Sequence, residues 1–201
     1  MSTLLFEALK ERESTDRKMS FGKWFLFGII TLGIGFIFAF YYLIKRRTEH
    51  FKRQRKLEEG MIALLESRGA GESALAELKA IHGEARSEEK ERDPILWVIL
   101  SLIPFVSIYT LYFLTVDSGN HAMRQRRFTT LAFTTLSQLG VPMPQEVHVI
   151  PKRSFALNIV LTLLTLGIFG IYWEYTLFSD FNQHFEDHKV IEEAMLSYLG
   201  A

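Results

Sequence analysis

Cysteine is absent from the 201 residues, which excludes disulfides, thiolate nucleophiles and cysteine-ligated metals. Proline is scarce at five residues, so few helices are forced to end. No phosphate-binding loop, nucleophile elbow or paired-histidine zincin motif is present. An enzyme is therefore not expected, and neither a cofactor nor a metal is called for. Net charge is also lacking, with 23 basic against 23 acidic residues. Because the basic clusters alternate with apolar anchors, nucleic acid is not an expected partner. A cleavable leader would put a short apolar core near the terminus, yet residues 1–19 are dense in charge.

Charge is missing locally as well. Residues 24–44, 94–116 and 154–173 carry none, and the last run continues to Phe178 after the single Glu174. About 20 apolar residues are needed to cross a bilayer core, and each run reaches or approaches that length. Trp24 and Trp97 stand near run starts, while Tyr41, Tyr42, Tyr109, Tyr112, Tyr172, Trp173 and Tyr175 fall in second halves, where interfacial anchors belong. These runs predict an all-α integral membrane protein.

The chain repeats itself. Residues 20–67 align without a gap on 154–201, with identities at Ser20, Phe21, Thr31, Leu32, Gly33, Ile34, Ile37, Tyr41, Leu43, His50, Phe51, Glu58, Glu59, Met61 and Leu65. Composition alone would give roughly three to five identities, so a duplication is indicated. The middle run joins through His121 and Arg124-Gln125-Arg126-Arg127, which face His50 and Arg53-Gln54-Arg55-Lys56. It shares Ile108, Tyr109, Tyr112, Leu114, Asp117 and His121 with Ile171, Tyr172, Tyr175, Leu177, Asp180 and His184. One unit thus recurs three times: polar start, apolar run broken near its middle, aromatic stretch, histidine, amphipathic helix. The predicted divisions are a polar segment 1–19, repeat 1 at 20–68, a charged connecting helix at 69–92, repeat 2 at 93–140, a linker 141–151 and repeat 3 at 152–201.

The third unit carries Thr165-Leu166-Gly167-Ile168-Phe169-Gly170-Ile171-Tyr172-Trp173. This resembles the TLGI[YF]GIYW signature of an uncharacterised prokaryotic membrane-protein family, domain of unknown function 4234. The match is best over residues 152–185. It is partial at Thr31-Leu32-Gly33-Ile34 and faint in the second unit, where Pro104 stands in place of glycine. The resemblance implies a prokaryotic membrane protein, and it brings no activity.

Each run has a breaker at its midpoint: Gly33 and Gly35, Pro104, and Gly167 and Gly170. These predict either kinked spans or re-entrant helical hairpins. Three simple spans would divide the lysines and arginines ten against thirteen across the bilayer, whereas hairpins place all 23 on one face. Hairpins are the favoured expectation, in a multi-pass or re-entrant protein of the inner (cytoplasmic) membrane. Ser20, Asp93-Pro94 and Ser154 are positioned as helix starts. Spacings of three and four predict apolar stripes through Leu57, Met61, Leu64 and Leu65, and through Phe178, Phe181, Phe185, Ile191, Met195 and Tyr198. A thin stripe of Leu75, Leu78 and Ile81 marks the connecting helix, and Gly140 to Pro144 reads as a loop.

Three groups could carry function. His50, His121 and His184 are equivalent, and His188 stands one helical turn beyond His184. Such imidazoles can ligate a metal or relay protons, but beside an apolar stripe a histidine more commonly acts as an amphipathic interface residue. Lys45, Arg46, Arg47, Arg53, Arg55, Lys56, Arg124, Arg126 and Arg127 are predicted to bind anionic lipid headgroups, at about 1 kcal/mol each. Glu174, with Asp180 and Asp117, could mark a polar path. The expected function is a non-enzymatic, membrane-organising, self-associating or partner-anchoring protein, with lipids and either a homo-oligomer or another membrane protein as partners. The alternative is a small channel or transporter subunit using Glu174 and the repeated histidines.

Overall fold

The computed structural model describes residues 3–141 and 150–199, with side chains through Ser197 in the last helix. Pro142, Met143 and Pro144 of the predicted loop, most of the 141–151 linker and the Tyr198 side chain lie outside the described residues.

Eight α-helices and no strand occur among the described residues: α1 (Thr3–Thr15), α2 (Phe21–Ile30), α3 (Ile34–Ser67), α4 (Glu72–Glu88), α5 (Pro94–Leu100), α6 (Pro104–Gln138), α7 (Phe155–Leu164) and α8 (Ile168–Leu199). Three of them start on side-chain caps. The Ser20 hydroxyl accepts from the Lys23 amide at 3.4 Å, Asp93 from Leu96 at 2.8 Å and Ser154 from Leu157 at 3.3 Å.

Each apolar run folds back at its midpoint. The turn 31–33 joins α2 to α3, 101–103 joins α5 to α6, and 165–167 joins α7 to α8. Gly33 and Gly167 adopt φ of 101° and 95°, values open to glycine at little cost, and Pro104 sits at the first turn of α6. The arms of the first hairpin meet at Gly28 and Gly35, where a Cβ on Gly35 would stand 2.6 Å from the Gly28 nitrogen. Trp24 then packs tilted against Tyr42 with ring centroids 5.4 Å apart, and Phe155 meets Trp173 edge to face at 5.6 Å in the third hairpin. Gly170 faces Thr162 across that hairpin.

These turns correct the predicted fold class. Among the described residues no helix is long and apolar enough to cross a membrane, so an integral membrane protein with transmembrane helices is overturned. Hydropathy adds the residues on either side of a break, but the hairpin lays them side by side. The short arms have seven to ten residues, which reach only about 10–15 Å. The second arms do not stop at the end of the apolar run. They continue without interruption into the predicted amphipathic helices, as single helices of 32 to 35 residues in which charged side chains appear beyond the apolar run.

The long helices α3, α6 and α8 form a parallel bundle. Buried positions recur with alternating steps of three and four, as in a coiled-coil seam: Leu43, Arg47, His50, Gln54, Leu57, Met61 and Leu64; Leu114, Ser118, His121, Gln125, Phe128, Ala132 and Thr135; Leu177, Phe181, His184, His188, Ile191 and Met195. Equivalent residues meet at equal heights. His50 lies beside His121 and His184, Gln54 beside His188, and Met61 packs in one cluster with Ala132 and Met195. Parallel packing puts all three hairpin turns at one end, about 24 Å from the histidines at 1.5 Å per residue. The apolar core is divided by this polar level. Leu43, Ile44, Phe113, Leu114, Leu177 and Phe178 pack on the hairpin side, and a larger cluster from Leu57 to Met195 fills the far end. The far end is completed by α1, through Leu5, Ala8 and Leu9, and by α4, through Leu78 and Ile81.

Candidate functional site

The 3–4 spacing passes straight through the repeated histidines, so it turns them inward. His50, His121, His184 and His188 are all buried, with His50 fully so. The interface role predicted for them is not where the structure puts them: they form the bundle axis. Ring centroids lie 5.2 Å apart for His50 and His121, 5.1 Å for His50 and His184, 5.7 Å for His121 and His184, and 4.3 Å for His184 and His188. One nitrogen each of His50, His184 and His188 lie within 4.8 Å of one another.

Carboxylates fix two of the rings. His50 donates from Nδ1 to Asp16 at 2.9 Å, and His121 donates from Nδ1 to Glu89 at 2.7 Å. In the neutral form of each ring Nε2 then carries no hydrogen, and the two Nε2 atoms face each other at 3.3 Å. His188 Nε2 donates to the Gln125 side-chain oxygen at 2.9 Å, so its Nδ1 accepts from the Gln54 amide at 3.1 Å. His184 is different, because neither of its ring nitrogens has a partner although it is only 3% exposed. A buried polar atom left unpaired costs about 1–3 kcal/mol.

Beside the rings lie two groups of ion pairs. Arg53 donates through Nη1 to both oxygens of Glu192, at 2.7 and 2.9 Å, and through Nη2 to Asp16 at 2.6 Å. Arg124 bridges Glu88 and Glu89 at 2.6 Å each. Burial pushes the His50 imidazole down to about 4 against the opposing pull of Asp16. Burial, and then the neighbouring histidines, lower His184 as well. Desolvation alone would raise Glu89, but His121 and Arg124 more than offset it and hold the carboxyl at about 2. Asp16 follows the same pattern, with burial outweighed by His50 and Arg53, so it is held below the usual carboxylate range. Burial therefore favours the neutral form of His50 and His184, while the carboxyls of Asp16 and Glu89 are held ionised.

The predicted headgroup-binding residues are placed otherwise. Arg46, Arg47, Arg53 and Arg124 are buried in the bundle. Arg46 donates to the Leu177 carbonyl at 2.6 Å, and burial lowers its guanidinium to about 9. Arg47 pairs with Asp117. Arg55 meets Glu91, Lys56 meets Glu7 and Glu11, and Arg127 meets Glu84. Arg126 is exposed, and Lys45 lies beside Glu49 at 3.7 Å. All but Lys45, Arg46 and Arg47 sit at or beyond the histidine level, away from the hairpins. Of the predicted polar path, Asp180 is held by Arg153 and Asp117 by Arg47, while Glu174 is half-buried ten residues before His184. The structure does not bring Glu174 to the histidines.

The second notable region is the hairpin crown. Leu32 and Leu166 are each 95% exposed and Phe105 is 84% exposed. Ile30, Leu102, Leu163, Leu164 and Ile168 extend this apolar surface around the turns. Leu32 and Leu166 also share a φ of 50°, the left-handed region that disfavours every side chain by about 1–2 kcal/mol. Lys23 and Lys152 are exposed just behind the crown.

Sequence reasoning found the repeated histidines but missed Asp16 and Glu89, which come from outside the repeats. It singled out His188 beside His184 but did not join it with Gln54 and Gln125 in one layer. That layer was legible, since all three occupy equivalent positions one turn after the repeated histidine.

No curated protein and no solved structure is significantly similar to the chain. Residues 153–199, the third hairpin with α8, match the family model described as Domain of unknown function (DUF4234), in agreement with the resemblance at Thr165 to Trp173.

Proposed function

We propose that the chain is a non-enzymatic protein that docks on a lipid surface, seating its three hairpin turns in one leaflet and holding the bundle outside. The observation that carries this reading is the pair of left-handed, fully exposed leucines at equivalent turns, Leu32 and Leu166. A turn meant for water would favour glycine or asparagine at such a φ. A large apolar side chain there is useful only if something apolar receives it.

Three further features support lipid as that partner. The turns share one end of a parallel bundle, so they can enter one surface together. Their arms of about 10–15 Å match a single leaflet of a hydrocarbon core about 30 Å thick, and do not reach the far side. Behind them come Trp24, Tyr41, Tyr42, Trp97, Tyr109, Tyr112, Tyr172 and Tyr175, followed by Lys23, Lys45 and Lys152 at the depth of headgroups. These three lysines replace the buried arginines as headgroup contacts.

Burying a leucine or phenylalanine contributes about 1.5–3 kcal/mol, so three turn residues contribute about 5–9 kcal/mol. The triple variant Leu32→Asp, Phe105→Asp and Leu166→Asp tests the proposal by vesicle flotation. Partition into vesicles is expected to fall at least a hundred-fold, about 2.7 kcal/mol, with helicity unchanged. Equal flotation of variant and wild type would refute it. A wild-type protein that ignores vesicles but forms a dimer abolished by the same substitutions would instead assign the crown to self-association.

A further inference from the structure

The bundle axis presents a chemical problem that the protein alone does not solve. With both Nδ1 hydrogens given to Asp16 and Glu89, His50 and His121 turn two bare Nε2 lone pairs on one another at 3.3 Å. His184 adds two unpartnered nitrogens in the same space. Lone pairs converging in a buried site repel unless a cation lies between them. The guanidiniums of Arg53 and Arg124 do not serve, because both are engaged by carboxylates.

We propose that His50, His121, His184 and His188 together bind one divalent first-row transition ion of the zinc type. Nitrogens of His50, His184 and His188 already lie within 4.8 Å of one another, His121 Nε2 is 3.3 Å from His50 Nε2, and His188 exchanges a glutamine partner for the ion. The geometry matches that chemistry at the one distance it fixes. Metal–nitrogen bonds of about 2.0–2.1 Å at tetrahedral angles separate neighbouring donors by about 3.3 Å, the spacing of the two Nε2 atoms. Neutral imidazoles are the donors such ions prefer over hard cations. A carboxylate accepting the far N–H of each ligand is the outer-shell arrangement that fixes the tautomer and raises ligand basicity. Asp16 and Glu89 do this for His50 and His121. On the far side of His188 a mainly apolar cavity of about 20 Å³, walled by Leu57, Phe128 and Met195 with Gln54, Gln125 and Glu192 at its rim, separates the centre from the core at the far end.

The ion would also have a structural consequence. The ligands come from all three long helices, His184 and His188 one turn apart on α8, and the two carboxylates behind them come from segments outside the repeats. A single ion would therefore tie α3, α6 and α8 together in register. This site is independent of the crown: substitutions at the turns leave it intact, and its loss does not remove the apolar surface.

The test uses the full chain in detergent, stripped with chelator and titrated with cobalt(II), then with zinc. One cobalt per chain is expected, with the intense visible absorption of a four- or five-coordinate nitrogen site, displaced by one zinc. Zinc should raise the melting temperature. His184→Gln and His50→Gln should abolish the absorption, while Asp16→Asn should keep it and weaken binding about 10–100-fold. His82→Gln, outside the centre, should change nothing. Absence of cobalt absorption and of any zinc-induced rise in melting temperature in the wild type would overturn the proposal, whether or not the variants fold. So would unchanged binding in folded His184→Gln and His50→Gln, which would place the ion elsewhere.

Discussion

Replacing Arg53 with methionine removes a buried cation that links α1, α3 and α8 beside the histidines. Its guanidinium reaches Glu192 at 2.7 and 2.9 Å, Asp16 at 2.6 Å and the Ala8 carbonyl at 3.3 Å. Glu192 is 1% exposed and the Asp16 side chain 3%, so neither carboxylate can turn to water when its partner goes. Breaking a buried pair from one side costs about 3–5 kcal/mol, because an uncompensated charge remains inside. Methionine fills much of the same volume, so little of that loss comes from a cavity. With a urea m-value of about 2–3 kcal/mol/M, the unfolding midpoint of chelator-treated protein should fall by about 1.5 M. Adding Glu192→Gln removes one stranded charge and should restore part of the loss, a coupling of about 0.5–3 kcal/mol. Arg53→Met with a loss below about 1 kcal/mol would refute the reasoning, since it would mean the carboxylates were already solvated or protonated.

Other consequences follow from the same geometry. In metal-free protein the His50 imidazole is held at about 4 against 6.5 when unfolded. The unfolded state therefore binds the extra proton first, and stability present above pH 6.5 is lost as pH falls towards 4. Urea unfolding at pH 5 should show about 2 kcal/mol less stability than at pH 7, and a flat profile would contradict it. At the first hairpin, Gly35→Ala forces a Cβ within 2.6 Å of the Gly28 backbone and should cost about 1–3 kcal/mol. Gly22→Ala, which meets nothing within 4 Å, should be neutral or stabilising, and thermal melts of the two variants separate them.

Much of this was legible in the chain because it is local. The duplication, the capping residues Ser20, Asp93 and Ser154, and the turns at Gly33, Pro104 and Gly167 follow from residue identity and spacing. What hydropathy could not convey is that residues on either side of Thr31-Leu32-Gly33 lie antiparallel in one layer, so a run long enough to span becomes two arms that are not. The basic motif misled for a related reason. Arg53 and Arg124 are identical in sequence to solvated juxtamembrane charges, but they sit next to His50-Gln54 and His121-Gln125 on the inward side of helices whose core stripe is polar at that level. Their counterions, Asp16 and Glu89, are supplied by segments outside the repeats, and no internal comparison of the repeats reveals them. The repeat spacing marks the histidines as equivalent positions. Their convergence depends on the three long helices running parallel, which is a property of the tertiary fold.

The central claim is that all three turns enter one leaflet and stop there. The absence of native cysteine allows single spin labels at positions 32, 105 and 166, each measured for depth in vesicles by its contact with oxygen and with a water-soluble nickel chelate. The account predicts that all three labels lie within about 15 Å of the outer headgroups, shielded from the chelate, while a label at exposed Arg126 remains fully accessible to it. Labels at the turns as accessible to the chelate as that at 126, or labels reporting the far headgroup region, would contradict it.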